Sequence, residues 1–228
     1  MSDWGAINGE VVVVDDVAPA FAAQVIEAFR SRPNEGFSLM LSGGSTAVSC
    51  YEQLAAQGAN QIDWWQVDVY WGDERCVPPD DPASNERLVR QALLERVGAA
   101  NAVYPMRCED GPDPYQQRIA QAGRLDLVHL GLGPDGHTAS LFPDSDALDA
   151  DPGRLVVMNS DPKGNNPHPR MTLTYSGIAR ARLVVFTVAG EEKRAAFAGI
   201  CGGDPSLPAS RVTADRIVWL VDRAAAGR

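Results

Sequence analysis

A chain of 228 residues with 45% hydrophobic and 22% charged residues can bury one sizeable core and is too apolar to stay disordered. Thirty acidic against twenty basic residues give a formal net charge of -10 and a pI near 4.7. That balance argues against a general nucleic-acid or anionic-membrane binder, so an anionic ligand needs its own local cluster of basic residues. The N-terminus MSDWGAINGE has no basic region leading into an apolar core, and no later run is long enough to span a bilayer. Cys50, Cys76, Cys108 and Cys201 are widely spaced without a C-x-x-C pair, which reads as four isolated thiols in a reducing compartment. The expectation is a cytoplasmic protein, with residues 1–228 as a single domain.

The first element is VVVVDD, a β-branched run suited to a buried strand. APAFAAQVIEAFRSR comes next, with Phe21, Val25, Ile26 and Phe29 at helical spacing and Pro19 near the first turn. FSLMLSGGS repeats the theme, an apolar run ending at Gly43 and Gly44, and TAVSCYEQLAAQG continues as a helix closing at Gly58. WQVDVYWGDER is a third strand, CVPPDDPAS a long proline-rich loop, and NERLVRQALLERVG a helix capped by Ser84 or Asn85. PYQQRIAQAG reads as a short helix, and LDLVHLGLG, GRLVVMNS and ARLVVFTVAG as strands. EEKRAAFAGI is a helix and RIVWLVD the last strand. NSDPKGNNPHPRMTLTYSG, broken by Pro, Gly and Asn, reads as a lid or binding loop outside the core. Alternation of strand and helix predicts an α/β fold, a mostly parallel sheet covered by helices on both faces.

The segments at the ends of four of these strands share a chemistry. SGGST, GDER, GPDGHT and GEEK belong on one edge of a parallel sheet, where open α/β folds bind ligands. Together they supply glycine amides, hydroxyls, carboxylates, a histidine, an arginine and a lysine, the parts for an anionic, hydroxylated substrate. SGGST (Ser42 to Thr46) is either a phosphate cradle on a helix N-terminus or a plain tight turn, and lacks the G-K-[ST] ending of a Walker loop. Arg75, Arg170 and Lys193 tip the balance toward phosphate.

Each residue also has a structural reading. His137 sits in a glycine loop, aimed at a ligand or capping TASLFPD; His129, within a strand, reads as a satisfied core residue, and His168 as loop surface. Asp73 and Glu74 either act or cap their strand end, and Asp135 either acts or shapes its turn. Leu141 and Phe142 anchor the histidine loop to the core.

LSGGST, WGDER, GLGPDGHTASLFP, PRMTLT, GEEK and LPAS occur in this order across nearly the whole chain. They resemble the 6-phosphogluconolactonase family, which shares a superfamily with glucosamine-6-phosphate deaminase. GLGPDGHTASLFP is the most specific segment. Deaminases carry a similar D-G-H but commonly continue I-A-F-N-E-P, so TASLFP after His137 points to the lactonases. The resemblance implies a Rossmann-like fold and hydrolysis of 6-phospho-D-glucono-1,5-lactone to 6-phosphogluconate, with no cofactor and no metal. The partner is then the small sugar-phosphate lactone, and the protein a monomer or weak dimer. The alternatives are a glucosamine-6-phosphate deaminase/isomerase and a sugar-phosphate-binding protein without turnover.

Lactone hydrolysis needs an activated water, oxyanion stabilisation and a proton for the ring oxygen, and one imidazole can accept and return that proton near neutral pH. His137 is assigned that role, with Asp135 or Asp73 orienting it. Backbone amides of the glycine loop, or Arg75, hold the oxyanion. Gly43, Gly44, Ser45 and Thr46 with Arg170 and Lys193 are assigned to the phosphate.

Overall fold

The computed structural model describes residues 4–228. Among them the strands are, in chain order, β1 (Glu10–Val14), β2 (Phe37–Leu41), β3 (Val67–Trp71), β4 (Asp73–Arg75), β5 (Ala102–Tyr104), β6 (Leu125–Gly131), β7 (Val156–Asn159), β8 (Arg170–Leu173), β9 (Ala181–Val188) and β10 (Arg216–Asp222). The helices are α1 (Val17–Arg30), α2 (Ser45–Gly58), α3 (Asn85–Val89), α4 (Pro112–Ala122), α5 (Tyr175–Ile178), α6 (Arg194–Cys201) and α7 (Arg223–Ala226). No helix among the described residues is long and apolar enough to cross a membrane.

Seven strands form a sheet in the order β1-β10-β9-β6-β2-β3-β5, and every neighbouring pair is parallel. The expected α/β architecture is therefore present. Central strands such as β9 are buried almost throughout, because a parallel sheet needs crossover connections that cover its faces. α1 buries Phe21, Val25, Ile26 and Phe29, as its spacing predicts, and packs against α2, β9 and β10. Its start is fixed by Asp16, whose side chain accepts the Ala18 N–H at 2.9 Å. The Phe186 and Trp219 rings of β9 and β10 stack with centroids 3.7 Å apart.

From β2 the chain steps to β3 and β5 on one side, then returns to β6 on the other side and continues through β9 to β10. The order thus reverses between β2 and β6, and the carboxyl ends of strands at such a reversal leave a crevice.

A second, antiparallel sheet, β4-β8-β7, stands at the carboxyl end of β3. Gly72 joins the two: its N–H donates to Leu41 O at 2.8 Å, and its carbonyl accepts the Leu173 N–H at 2.8 Å. This sheet corrects the reading of the 159–177 segment as wholly irregular. Arg170–Leu173 is a strand buried at every position, held between two partners; the glycines and prolines before it hid a four-residue run too short to show a period. The predicted helix from Asn85 is also shorter, α3 passing into a π-helical turn over Arg90–Leu94, with Ser84 as its cap.

The cysteine reading needs correction too. Cys76 and Cys108 are joined in a disulfide, leaving Cys50 and Cys201 free. Cys76 directly follows β4 and Cys108 lies in the turn before α4, so the tertiary fold brings together thiols 32 residues apart. The chain does not carry four isolated thiols, and the reducing compartment expected from them loses its basis. Cys76→Ser, or reduction with dithiothreitol, is expected to lower the unfolding free energy by about 2–4 kcal/mol. An unchanged denaturation midpoint would mean that the two thiols are not joined in solution.

Candidate functional site

The four strands that end in SGGST, GDER, GPDGHT and GEEK are β2, β3, β6 and β9, which are consecutive across the middle of the sheet. Their loops line one cavity, which brings together Gly43, Gly44, Ser45, Thr46, Asp73, Arg75, His137 and Lys193. Arg170 pairs with Arg75 across β4 and β8. It is only 5% exposed and is not among the lining residues.

The glycine turn enters α2 through Gly44, at φ 106°, and no side chain caps the first turn of this helix. α1, α3, α5 and α7 each have a side-chain cap. The first-turn N–H groups of α2 are thus offered to the cavity, together with the positive end of the helix dipole. Gly43 is required by space, since a Cβ there would lie 1.8 Å from Asn85 Oδ1.

His137 Nδ1 lies 2.6 Å from Asp135 Oδ1, and the same oxygen accepts the His137 N–H at 3.2 Å. Partial burial pushes the Asp135 carboxyl up, but the hydrogen bond and charge of His137 outweigh it and hold the group below the usual carboxylate range. Gly133 permits this contact: a Cβ there would fall 2.1 Å from His137 Nδ1 and 2.7 Å from Asp135 Oδ1. The ring is backed by Phe142, 5.1 Å away between centroids, and Leu141 and Phe142 are buried as the anchors of this loop.

Of the two carboxylates considered for His137, Asp135 makes the contact. Asp73 is held elsewhere, accepting Ser140 Oγ–H at 2.6 Å and Asn85 Nδ2–H at 3.2 Å. The sequence reading did not single out Ser140 and read Asn85 only as a candidate helix cap, because neither stands near Asp73 in the chain. Arg75 donates from Nη1 to Ala83 O at 2.7 Å, while its buried Nε and the buried Nη1 of Arg170 have no partner among the described residues.

His129 is the core residue its strand position predicts. Its Nδ1 is 2.8 Å from the Tyr51 hydroxyl and its Nε2 2.9 Å from Thr187 Oγ1. Burial pushes it down to about 3, so it is neutral. His168 is half-buried on its loop.

Residues 10–219 match the family described as glucosamine-6-phosphate isomerases/6-phosphogluconolactonase. The chain belongs to this family. A 6-phosphogluconolactonase of Nostoc sp. is 39% identical over 207 residues, 83% of each chain. A crystal structure of 6-phosphogluconolactonase from Thermotoga maritima superposes with a TM-score of 0.82 at 29% identity, covering 94% of this chain and 100% of that one. A monomeric glucosamine-6-phosphate deaminase has a TM-score of 0.83 at 17% identity over 96% of this chain and 99% of that one, a likeness of fold alone.

Glu74 serves its own strand end, as its position suggested, and the following helix as well. Its carboxylate accepts the N–H groups of Arg75, Asn85 and Glu86, each at 2.7 Å, and the Ser84 hydroxyl at 3.3 Å. Burial pushes its carboxyl up from the usual value, against the pull of these backbone donors. In this family member β4 and α3 are thereby tied through one side chain.

Glu74→Gln turns an acceptor into an amide donor facing N–H groups, and is expected to lower stability by about 1–3 kcal/mol in chemical denaturation; no loss would refute the anchoring role. Asp135 has a pH signature. Its native carboxyl lies below the unfolded value, so the stability it contributes is present above the unfolded carboxylate range and is lost as pH falls through the native one. Asp135→Asn is expected to flatten that acid limb, and a midpoint-versus-pH curve parallel to wild type would count against the pairing.

Proposed function

We propose that the protein hydrolyses 6-phospho-D-glucono-1,5-lactone to 6-phospho-D-gluconate, the second step of the oxidative pentose phosphate pathway. The observation that carries this reading is the His137–Asp135 pair at 2.6 Å opening on the same cavity as an uncapped helix N-terminus and Lys193. Relatives named for this activity at up to 39% identity support it.

The phosphate binds at Gly43, Gly44, Ser45 and Thr46, where N–H groups and helix dipole favour an anion, with Lys193 as its point charge. Anchoring the phosphate places the lactone carbonyl near His137, and such positioning can supply several kcal/mol of a barrier. Asp135 accepts the Nδ1–H of His137 and leaves Nε2 as the base. Water adds to the carbonyl carbon as its proton passes to Nε2. The tetrahedral oxyanion is met by Arg75 or by glycine-loop amides. Collapse breaks the bond to the ring oxygen, which takes the proton back from Nε2, and the acid product then ionises. Asp73, fixed by Ser140 and Asn85, accepts from a sugar hydroxyl. Arg170, buried opposite Arg75 and off the cavity lining, adds its charge behind Arg75 and does not reach the phosphate turn.

The test is acid release from freshly generated lactone, with a no-enzyme blank. His137→Ala is expected to lower kcat by about 10²-fold or more, with a smaller change in KM. Gly133→Ala, which forces the imidazole off Asp135, is expected to act in the same direction with the fold retained. Wild-type rates equal to the blank would reject the lactonase reading, and ammonia release from glucosamine 6-phosphate would replace it with the deaminase.

A further inference from the structure

Two buried tyrosines make the same unusual contact at the ends of adjacent strands. The Tyr51 hydroxyl accepts the N–H of Ser42 at 2.8 Å and donates to the carbonyl of the same residue at 2.8 Å. The Tyr115 hydroxyl accepts the N–H of Trp71 at 2.8 Å and donates to the Trp71 carbonyl at 3.0 Å. Ser42 directly precedes the Gly43-Gly44 turn, and Trp71 directly precedes Gly72 and Asp73.

Both contacts answer a need of the sheet. Pairing of β3 with β5 stops at Tyr70 and Tyr104, so the outward N–H and C=O of Trp71 would be buried without a strand partner. β2 pairs with β6 only through Leu39 and Met40, which leaves Ser42 in the same position. Buried backbone groups of this kind need partners. One hydroxyl has the proton and the lone pairs to satisfy both groups of a residue, and it fixes the peptide planes on either side.

We infer that Tyr51 and Tyr115 are positioning residues that act on separate halves of the site. Tyr51 sets the turn that receives the phosphate, and Tyr115 sets the strand end that carries Asp73 and Arg75. The inference rests on the lactonase reading for what each half does. Tyr51 projects from α2, so the helix that offers its N-terminus also holds the residue leading into it. Its hydroxyl lies against His129 Nδ1. With the single hydroxyl proton given to Ser42, His129 donates from Nδ1 and accepts from Thr187 at Nε2. Ser42 is held a third time through its own hydroxyl, which donates to His129 O at 2.8 Å. Tyr115 projects from α4, and its hydroxyl bonds are to Trp71. Burial pushes both phenols well above their usual range, so both stay protonated.

The test compares wild type, Tyr51→Phe and Tyr115→Phe by steady-state kinetics on the fresh lactone and by the rise in melting temperature that inorganic phosphate produces. Each variant loses one oxygen and keeps its ring; that of Tyr51 retains its contacts with Phe21 and His129. Tyr51→Phe is expected to raise KM about five- to tenfold and shrink the phosphate-induced rise, with kcat changing less. Tyr115→Phe is expected to lower kcat about five- to tenfold and keep the phosphate-induced rise of wild type. If both variants move the same parameter, or melt lower with neither parameter moved, the hydroxyls serve stability alone and the inference falls. If wild type opens no lactone, the lactonase reading fails, and the phosphate melts still decide whether Tyr51 sets the turn. A wild type that phosphate does not stabilise would overturn the Tyr51 half.

Discussion

The constraint on which the structure depends is the burial of a parallel sheet on both faces. Strands such as β6 and β9 are buried on either side, so polar groups along them are spent on internal partners, as His129 is on Tyr51 and Thr187, and open polar chemistry is displaced to their ends. There the ladder stops, and backbone N–H and C=O groups fall due for partners in a place where water is largely excluded. The site is built from the answers to that demand. Helix α2 leaves its first N–H groups to the cavity, the Tyr51 and Tyr115 hydroxyls bridge Ser42 just past β2 and Trp71 at the end of β3, and Glu74 gathers the Arg75 N–H at the end of β4 with two N–H groups at the start of α3. Functional and structural hydrogen bonds are therefore interleaved at one edge.

Much of this was legible in the chain. Apolar runs marked the seven strands read from it, most strongly β2, β6, β9 and β10, where burial on both faces demands continuous hydrophobicity, and the helices between them showed their spacing. The strand-end loops could be assigned to one edge because parallel connectivity puts successive carboxyl termini together. That Arg170–Leu173 is a core strand was not legible. Its polar members are tolerated by specific partners, as when Thr172 Oγ1 accepts the Ser140 N–H at 3.1 Å, and such compensation leaves no local pattern. The same holds for Asn85 and Ser140, which reach Asp73 only through tertiary folding, and for the cysteine pair. His129 shows the opposite case, where position within a strand correctly separated a core histidine from His137 in its glycine loop.

Charge explains how an acidic protein can receive an anion. Over the whole chain the formal charge is -10, which works against an approaching sugar phosphate. Among the residues that line the cavity, one carboxylate, Asp73, stands with two cations, Arg75 and Lys193. Asp73 is already held by the Ser140 hydroxyl and the Asn85 amide. The cations keep donors to spare: Arg75 gives Nη1 to Ala83 O, but its Nε and Arg170 Nη1 lack partners among the described residues. Unspent donor capacity on the positive side biases the site toward anions although the chain as a whole is acidic.

The paired arginines strengthen that bias. Arg75 and Arg170 face each other across β4 and β8, and burial together with the Arg75 charge depresses the Arg170 pKa. Keeping two guanidinium groups this close and partly dry is costly unless carboxylates or a ligand offset it. Asp73 and Glu74 supply part of the offset, which explains why this small sheet places D-E-R on one strand opposite R on the next. A phosphate or an oxyanion arriving in the cavity would supply the rest. On the reading proposed for the site, the anion and the β4-β8-β7 sheet meet through Arg75, which lines the cavity and stands opposite Arg170.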